Sequence, residues 1–285
     1  MLNKVLDVVP DIPLADWTDR ATDWITDTFS FLFDPVKEQF EEFMNFTSET
    51  LMEIPPLIII LAVAIIAFFI SGKKFALATF SIVGLWLIYN QGLWEKLINT
   101  FTLVLLASLL SVIIGVPIGI LMSKSKIATT IITPILDFMQ TMPAFVYLIP
   151  AVAFFGIGMV PGVFASLIFA TPPTVRFTNL GIRQVSAELV EASEAFGSTG
   201  AQKLFKVELP MAKSTIMAGI NQTVMLALSM VVIASMIGAP GLGRDVLSAL
   251  QRAEAGAGFV AGIGIVILAI IMDRFTQSMN KQKDN

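Results

Sequence analysis

The residues able to do chemistry fall in two places. Asp137, Gln140, Thr141 and Tyr147 stand in one apolar run, and Asn221, Gln222, Thr223 and Ser229 put polar groups into another. Between them, EASEAFGSTGAQKLFKVELP (191–210) turns to acids, bases, small residues and two phenylalanines in a chain that is otherwise strongly apolar. Neither set suits covalent catalysis. The 285 residues include no Cys and no His, which excludes thiolate nucleophiles, disulfides, imidazole bases and Cys/His metal sites. Gly72-Lys73-Lys74 lacks the upstream glycine and the hydroxyl of a phosphate loop, so no ATPase site of the chain's own is expected. Gly256–Ala261 fits GxGxxA but opens an apolar span with no strand before it, against dinucleotide binding. An acid in an apolar span is a functional hypothesis by default, since insertion costs about 3 kcal/mol. Asp137 and Gln140 also have capping-box spacing, so Asp137 reads equally as the start of the second half of a broken helix. The polar groups at 221–229 read as interhelical hydrogen bonds or as pathway lining.

The elements that must position these groups are membrane helices. The chain is 55% hydrophobic and 14% charged, with a mean hydropathy of +0.80, where a soluble domain carries about 25% charged residues. A span needs about 20 apolar residues, and seven are read: 55–71, 75–92, 97–122, 128–156, 158–175, 212–237 and 257–273. Asp137, Pro143 and Pro150 interrupt the fourth. The expected fold is an all-α integral membrane protein of about seven transmembrane helices. Residues 1–54 form an acidic tail with twelve Asp/Glu against Lys4, Arg20 and Lys37, a formal charge of −9; the remainder carries +5. Asp34-Pro35 looks like an N-cap with proline at N1, followed by Val36, Phe40, Phe43, Thr47 and Leu51 at helical spacing. Trp17, Ala21 and Trp24 suggest a shorter amphipathic turn before it. Such helices suit a membrane surface or a partner, though not attraction to anionic lipid. No 7–15-residue apolar core opens the chain, so no cleavable signal peptide is expected.

Bases sit in alternate connections: Lys73-Lys74, Lys124 with Lys126, Arg176–Lys213, and Arg274 with Lys281 and Lys283. The positive-inside rule makes that side cytoplasmic, and Trp86, Tyr89 and Trp94 cluster at the opposite interface. The expected topology is N-terminus outside and C-terminus inside. Gly115/Gly119 and Gly258/Gly262 are GxxxG pairs, for packing within the chain or, more sharply, a dimer face.

The charged stretch thus belongs to a cytoplasmic loop, about 177–211. Asn179–Phe196 reads as an amphipathic helix with Val185, Leu189, Ala192 and Phe196 on one stripe. Gly197 falls at a helix C-cap, Ser198–Gly200 is a turn, and Ala201–Lys206 is a short helix that Pro210 punctuates. The product is a knob suited to a cleft on another protein, with Phe205 as its apolar anchor between Lys203 and Lys206.

Glu191-Ala192-Ser193, Gly197 and Val207-Glu208-Leu209-Pro210 keep the spacing of the EAA loop of ABC importer permeases, with Ser193 for the second alanine and Val207 for isoleucine. The runs 136–185 and 221–243 extend the likeness. From roughly residue 95 to 275 the chain resembles the permease subunit of glycine betaine/proline betaine importers of the Opu/ProU type. The resemblance implies a peripheral pair of helices (55–94), a permease core (95–275) and a short cytoplasmic tail (276–285) in a bacterial cytoplasmic membrane. It implies ATPase coupling through Glu191, Ala192, Gly197, Phe205, Leu209 and Pro210. It implies a second copy of the chain, two copies of an ATP-binding subunit holding ATP and Mg, and an extracellular substrate-binding protein. Pathway candidates are Asp137, Gln140, Thr141, Tyr147, Asn221 and Ser229. Lipid is the expected surround; no nucleic acid, metal or cofactor is expected in this chain. The spans show no obvious aromatic cage for a quaternary ammonium, which fits selection by a separate binding protein. Choline, carnitine or proline is the near alternative substrate. A stand-alone secondary transporter would need several intramembrane charges, and an osmosensor would have no reason to meet an ATPase.

Overall fold

The computed structural model describes residues 13–72 and 75–278; Lys4, Lys73-Lys74, Lys281, Lys283, the residues read against a signal peptide up to position 12, and most of the expected 276–285 tail lie outside them. Among the described residues all regular structure is helical. The elements are α1 (Leu14–Glu53), α2 (Pro56–Ile70), α3 (Phe75–Asn90), α4 (Trp94–Lys124), α5 (Lys126–Thr141), a 3-10 turn (Ala144–Tyr147), α6 (Leu148–Phe155), α7 (Met159–Arg183), α8 (Ala187–Ala195), α9 (Gly200–Lys203), a π-helical turn (Leu204–Glu208), α10 (Leu209–Ser235), α11 (Leu242–Arg252) and α12 (Ala255–Ser278).

The core is a seam in which α7 lies between α4 and α10. Small residues let the backbones meet. A Cβ on Gly119 would lie 2.6 Å from both Thr178 Cβ and the Val175 carbonyl, and one on Gly115 would lie 2.9 Å from Thr174. The first GxxxG pair therefore packs within the chain. Of the second, Gly258 faces Ala249 while Gly262 has nothing within 4 Å. On the other side of α7, a Cβ on Gly219 would meet Phe177 Cβ at 2.5 Å. Thr174 and Thr223 share a hydroxyl hydrogen bond of 2.7 Å, and the Thr223 hydroxyl also reaches the Ala170 carbonyl at 2.9 Å. Threonine in place of a larger aliphatic permits the close approach and satisfies its own polar group.

Among the described residues, three helices are long and apolar enough to cross a membrane: Trp94–Lys124, the continuous run Gly200–Ser235 and Ala255–Ser278; counting each bent pair as one span gives up to five. The remaining expected spans have identifiable reasons for falling short. Phe75–Asn90 is apolar but only 16 residues long. Helix α7 carries Thr171, Pro172, Pro173, Thr174 and Arg176, groups that tolerate the interior because most of this helix is buried in protein. Helices α5 and α6 meet at 109° across Met142-Pro143. The pair still connects opposite ends of the molecule. It starts beside Arg183, whose guanidinium donates to the Met122 carbonyl and Thr129 hydroxyl, and it finishes at Gly156–Gly158, where the Gly158 N–H donates to Ile237 O at 2.9 Å.

Prolines end fewer helices than the sequence suggests. Pro35 does not begin a helix at Asp34 but sits inside the 40-residue α1. A proline in a helix interior costs about 3 kcal/mol, and the packing on both sides of it offsets that cost. Phe33 stacks on Phe154 (centroids 4.9 Å apart) and Phe40 meets Phe164 edge-on at 5.3 Å. The buried stripe continues through Met44 to Ser48, which reaches Thr102 Oγ1 at 3.3 Å, whereas Phe43 is exposed. The first half of α1, with Leu14, Trp17, Trp24 and Phe31, remains exposed, and α1 turns by 97° into α2.

Candidate functional site

Three elements build the knob. Asn179–Phe196 is not one helix: α7 ends at Arg183, and α8 begins after Ser186, whose backbone is extended (ψ 130°). Glu188 in the first turn of α8 complements the helix dipole. Helix α8 closes in a Schellman motif, with Ser198 N–H donating to Ser193 O (3.0 Å) and Gly197 N–H to Glu194 O (2.9 Å), while Gly197 takes φ +80°. Thr199 then caps α9 in a reciprocal capping box with Gln202. Lys203 pairs with Glu194 across the turn, and its hydrogen bond holds the Glu194 carboxyl below the usual range.

Pro210 does not end the second helix. It stands near the start of α10, and the helix runs unbroken from Gly200 to Ser235. The π turn before it makes this possible: Leu209 N–H bonds back to Leu204 O, five residues away, widening the coil where the proline ring would otherwise meet the previous turn. A 36-residue rod, about 54 Å at 1.5 Å per residue, therefore joins the knob to the far end of the molecule.

The knob presents apolar surface that nothing among the described residues covers. Phe196 is 91% exposed and Phe205 67%, and Leu189, Glu191, Ala192 and Pro210 are exposed beside them, with Leu209 half-buried. One side chain is buried instead. Glu208, 4% exposed, pairs with Lys124 at the end of α4. The π turn is thus tied to α4 as well as to α10.

The pathway candidates divide. Gln140 lines a cavity of about 380 Å³ among α5, α7 and α10, together with Phe169, Pro173, Arg176, Phe177, Gln222 and Leu226. Asp137 is not a helix cap: it lies in the fourth turn of α5 and pairs with Arg176 on α7, because the break comes later, at Met142-Pro143. Tyr147 is buried behind the cavity, donating its hydroxyl to Met139 O and setting its ring edge-on to Phe169 (6.0 Å). Asn221 faces the other way, donating to Asp273 on α12 at 2.8 Å. Thr141 and Ser229 are exposed, each bonded to a carbonyl of its own helix (Phe138 and Leu226).

The family of binding-protein-dependent transport system inner membrane components has a model that matches residues 111–284. The chain belongs to that family. The permease is 58% identical to the glycine betaine/carnitine transport permease protein GbuB of Listeria monocytogenes, over 96% of this chain and 98% of that one. It is 53% identical to the glycine betaine transport system permease protein OpuAB of Bacillus subtilis (98% of each). It is 49% identical to the glycine betaine/proline betaine transport system permease protein ProW of Escherichia coli (95% and 76%). Among solved structures, the inward-facing MetNI methionine ABC transporter shares the fold with a TM-score of 0.58 at 21% identity, over 69% of this chain and 97% of that one. The permease is therefore a multi-pass membrane protein of the ABC importer type, which works with ATPase and substrate-binding partners.

Sequence reasoning misses the ion pairs of the permease, and two of them bear on the knob and the cavity. Lys124–Glu208 and Asp137–Arg176 join residues 84 and 39 positions apart, and no local spacing announces such partners. Arg176 does carry a signal, since it directly follows the apolar run 158–175 and so stands at the edge of a span as much as of a loop.

Proposed function

We propose that this permease imports glycine betaine or a closely related osmoprotectant, and that it does so as a homodimer with two copies of a separate ATP-binding subunit and an extracellular binding protein. The observation that carries the substrate is the near full-length identity, 49–58%, to three permeases whose names specify glycine betaine. The chain supplies no ATPase site of its own; ATP and Mg belong to the partner. The N-terminus lies outside, α1 rests on the outer face, residues 55–94 are peripheral, and 95–275 form the translocating core.

The knob's geometry supports a coupling mechanism. Phe196 and Phe205 seat in the ATP-binding subunit, and Gly197 fixes the turn between their helices. When the two ATPases close, they push on Gly200–Lys203. The rod transmits that push along α10 past Gln222, while Lys124–Glu208 carries α4 with it. The α4–α7–α10 seam then tilts as a body and switches the access of the cavity. Labelled betaine uptake tests this reading in cells lacking the gene, with and without a restored copy, against unlabelled choline, carnitine and proline. Restored uptake upholds the substrate; none, with protein and partners present in the membrane, overturns it.

A further inference from the structure

The cavity among α5, α7 and α10 has a composition that a mere passage does not need. Three of its side chains are polar: Gln140, Gln222 and Arg176. Two are aromatic. Phe169 and Phe177 stand eight residues apart on α7 with Arg176 between them, about 12 Å along the helix. Each is held in place: Phe169 by the edge of Tyr147, and Phe177 by the bare backbone of Gly219. Arg176 is held too. Asp137, outside the cavity lining, pairs with one terminal nitrogen, and the guanidinium's Nε is buried without a partner among the described residues.

We propose that this cavity is a binding subsite for the transported solute, and that it selects small zwitterions. The solute's carboxylate binds the Arg176 guanidinium and the amides of Gln140 and Gln222, through charge-assisted hydrogen bonds. The quaternary ammonium lies against the faces of Phe169 and Phe177, which attract a cation electrostatically. Because Asp137 already neutralises Arg176, a solute with no net charge leaves no charge uncompensated. Choline, a cation without a carboxylate, has nothing to offer the guanidinium, and an aliphatic carboxylate has nothing to offer the rings. A volume of about 380 Å³ lies at the small end of ligand sites. The proposal rests on the betaine reading for the choice of probe but concerns the chain's own residues.

The test uses the permease with its ATP-binding subunit in lipid nanodiscs, without the binding protein, and measures binding of labelled glycine betaine. The wild type binds it; unlabelled betaine competes, while choline and 3,3-dimethylbutyrate, the uncharged-headgroup carbon analogue of betaine, compete at least tenfold less well. Arg176→Gln and Phe177→Leu each weaken binding at least tenfold. Arg176→Gln alone strands Asp137, so the double variant Asp137→Asn/Arg176→Gln separates the roles. A structural ion pair predicts that the double variant recovers binding, and recovery overturns the proposal. So does equal competition by choline, or wild-type complex that binds no betaine while carrying it in the full system. Uptake in that full system is measured alongside with betaine and proline. A permease that carries proline but not betaine overturns the betaine reading, and it upholds the subsite if Arg176→Gln abolishes proline uptake.

Discussion

The α4–α7–α10 seam and the 187–208 knob both depend on glycine, for opposite reasons. In the seam, Gly115, Gly119 and Gly219 are helical residues whose missing side chains let neighbouring helices touch. In the knob, Gly197 has nothing within 4 Å, and only its φ of +80° calls for glycine. The seam is closed by contacts within the chain. The knob holds its shape by local caps and one exposed ion pair, and leaves its two phenylalanines bare. A substitution in the seam is felt as stability, and one in the knob as a change in what the protein can hand on to a partner.

Ordered by effect on the fold, Gly119→Val comes first. It places carbon 2.6 Å from backbone and side chain of α7, an overpacking that costs about 1–3 kcal/mol or more, and membrane-inserted protein should fall sharply on immunoblots. Glu208→Gln is next. Breaking a buried pair costs about 3–5 kcal/mol when both charges are dry, but Lys124's side chain is 40% exposed, so a loss of about 1–2 kcal/mol is expected by thermal unfolding in detergent. The complex should then hydrolyse more ATP per solute imported. Gly197→Asp puts a side chain at positive φ, costing about 1–2 kcal/mol. The strain is confined to a solvated turn, so insertion should be normal and uptake lost; normal uptake would break the distinction between knob and seam.

Glu194→Gln should have the smallest effect on the fold. The native Glu194 carboxyl titrates below its ordinary range, so the pairing with Lys203 contributes above the unfolded pKa and is lost as pH falls through the folded one. Protection of the Gly197 and Ser198 amides, taken relative to the intrinsic exchange rate at each pH, should be unchanged between pH 6 and 8 and fall only in acid. In the variant that acid step should disappear.

Most of the long apolar helices, the glycine cap and the two-helix knob between them were legible in the sequence because each rests on local rules: hydrophobic length, a φ that needs no β-carbon, a polar stretch between apolar runs. Reading failed where a distant partner overrules a local preference. Pro35 is carried through α1 by the ring contacts of Phe33 and Phe40, and Pro210 by a π turn. Asp137 has the spacing of a cap yet answers Arg176. Asn221 and Gln222 show how fine the distinction is: one step around the helix, about 100°, separates a hydrogen bond to Asp273 from a place in the cavity.

The most direct test of the central claim is the double variant Phe196→Ser/Phe205→Ser, assayed for unfolding temperature and for co-purification with the ATP-binding subunit. Both rings are exposed in the permease alone, and exposed substitutions usually change stability by less than about 0.5 kcal/mol. The account predicts an unchanged unfolding temperature and a permease that comes down without its ATPase. A permease that unfolds early, or one that still brings the ATPase with it, would contradict the assignment of this knob as the coupling surface.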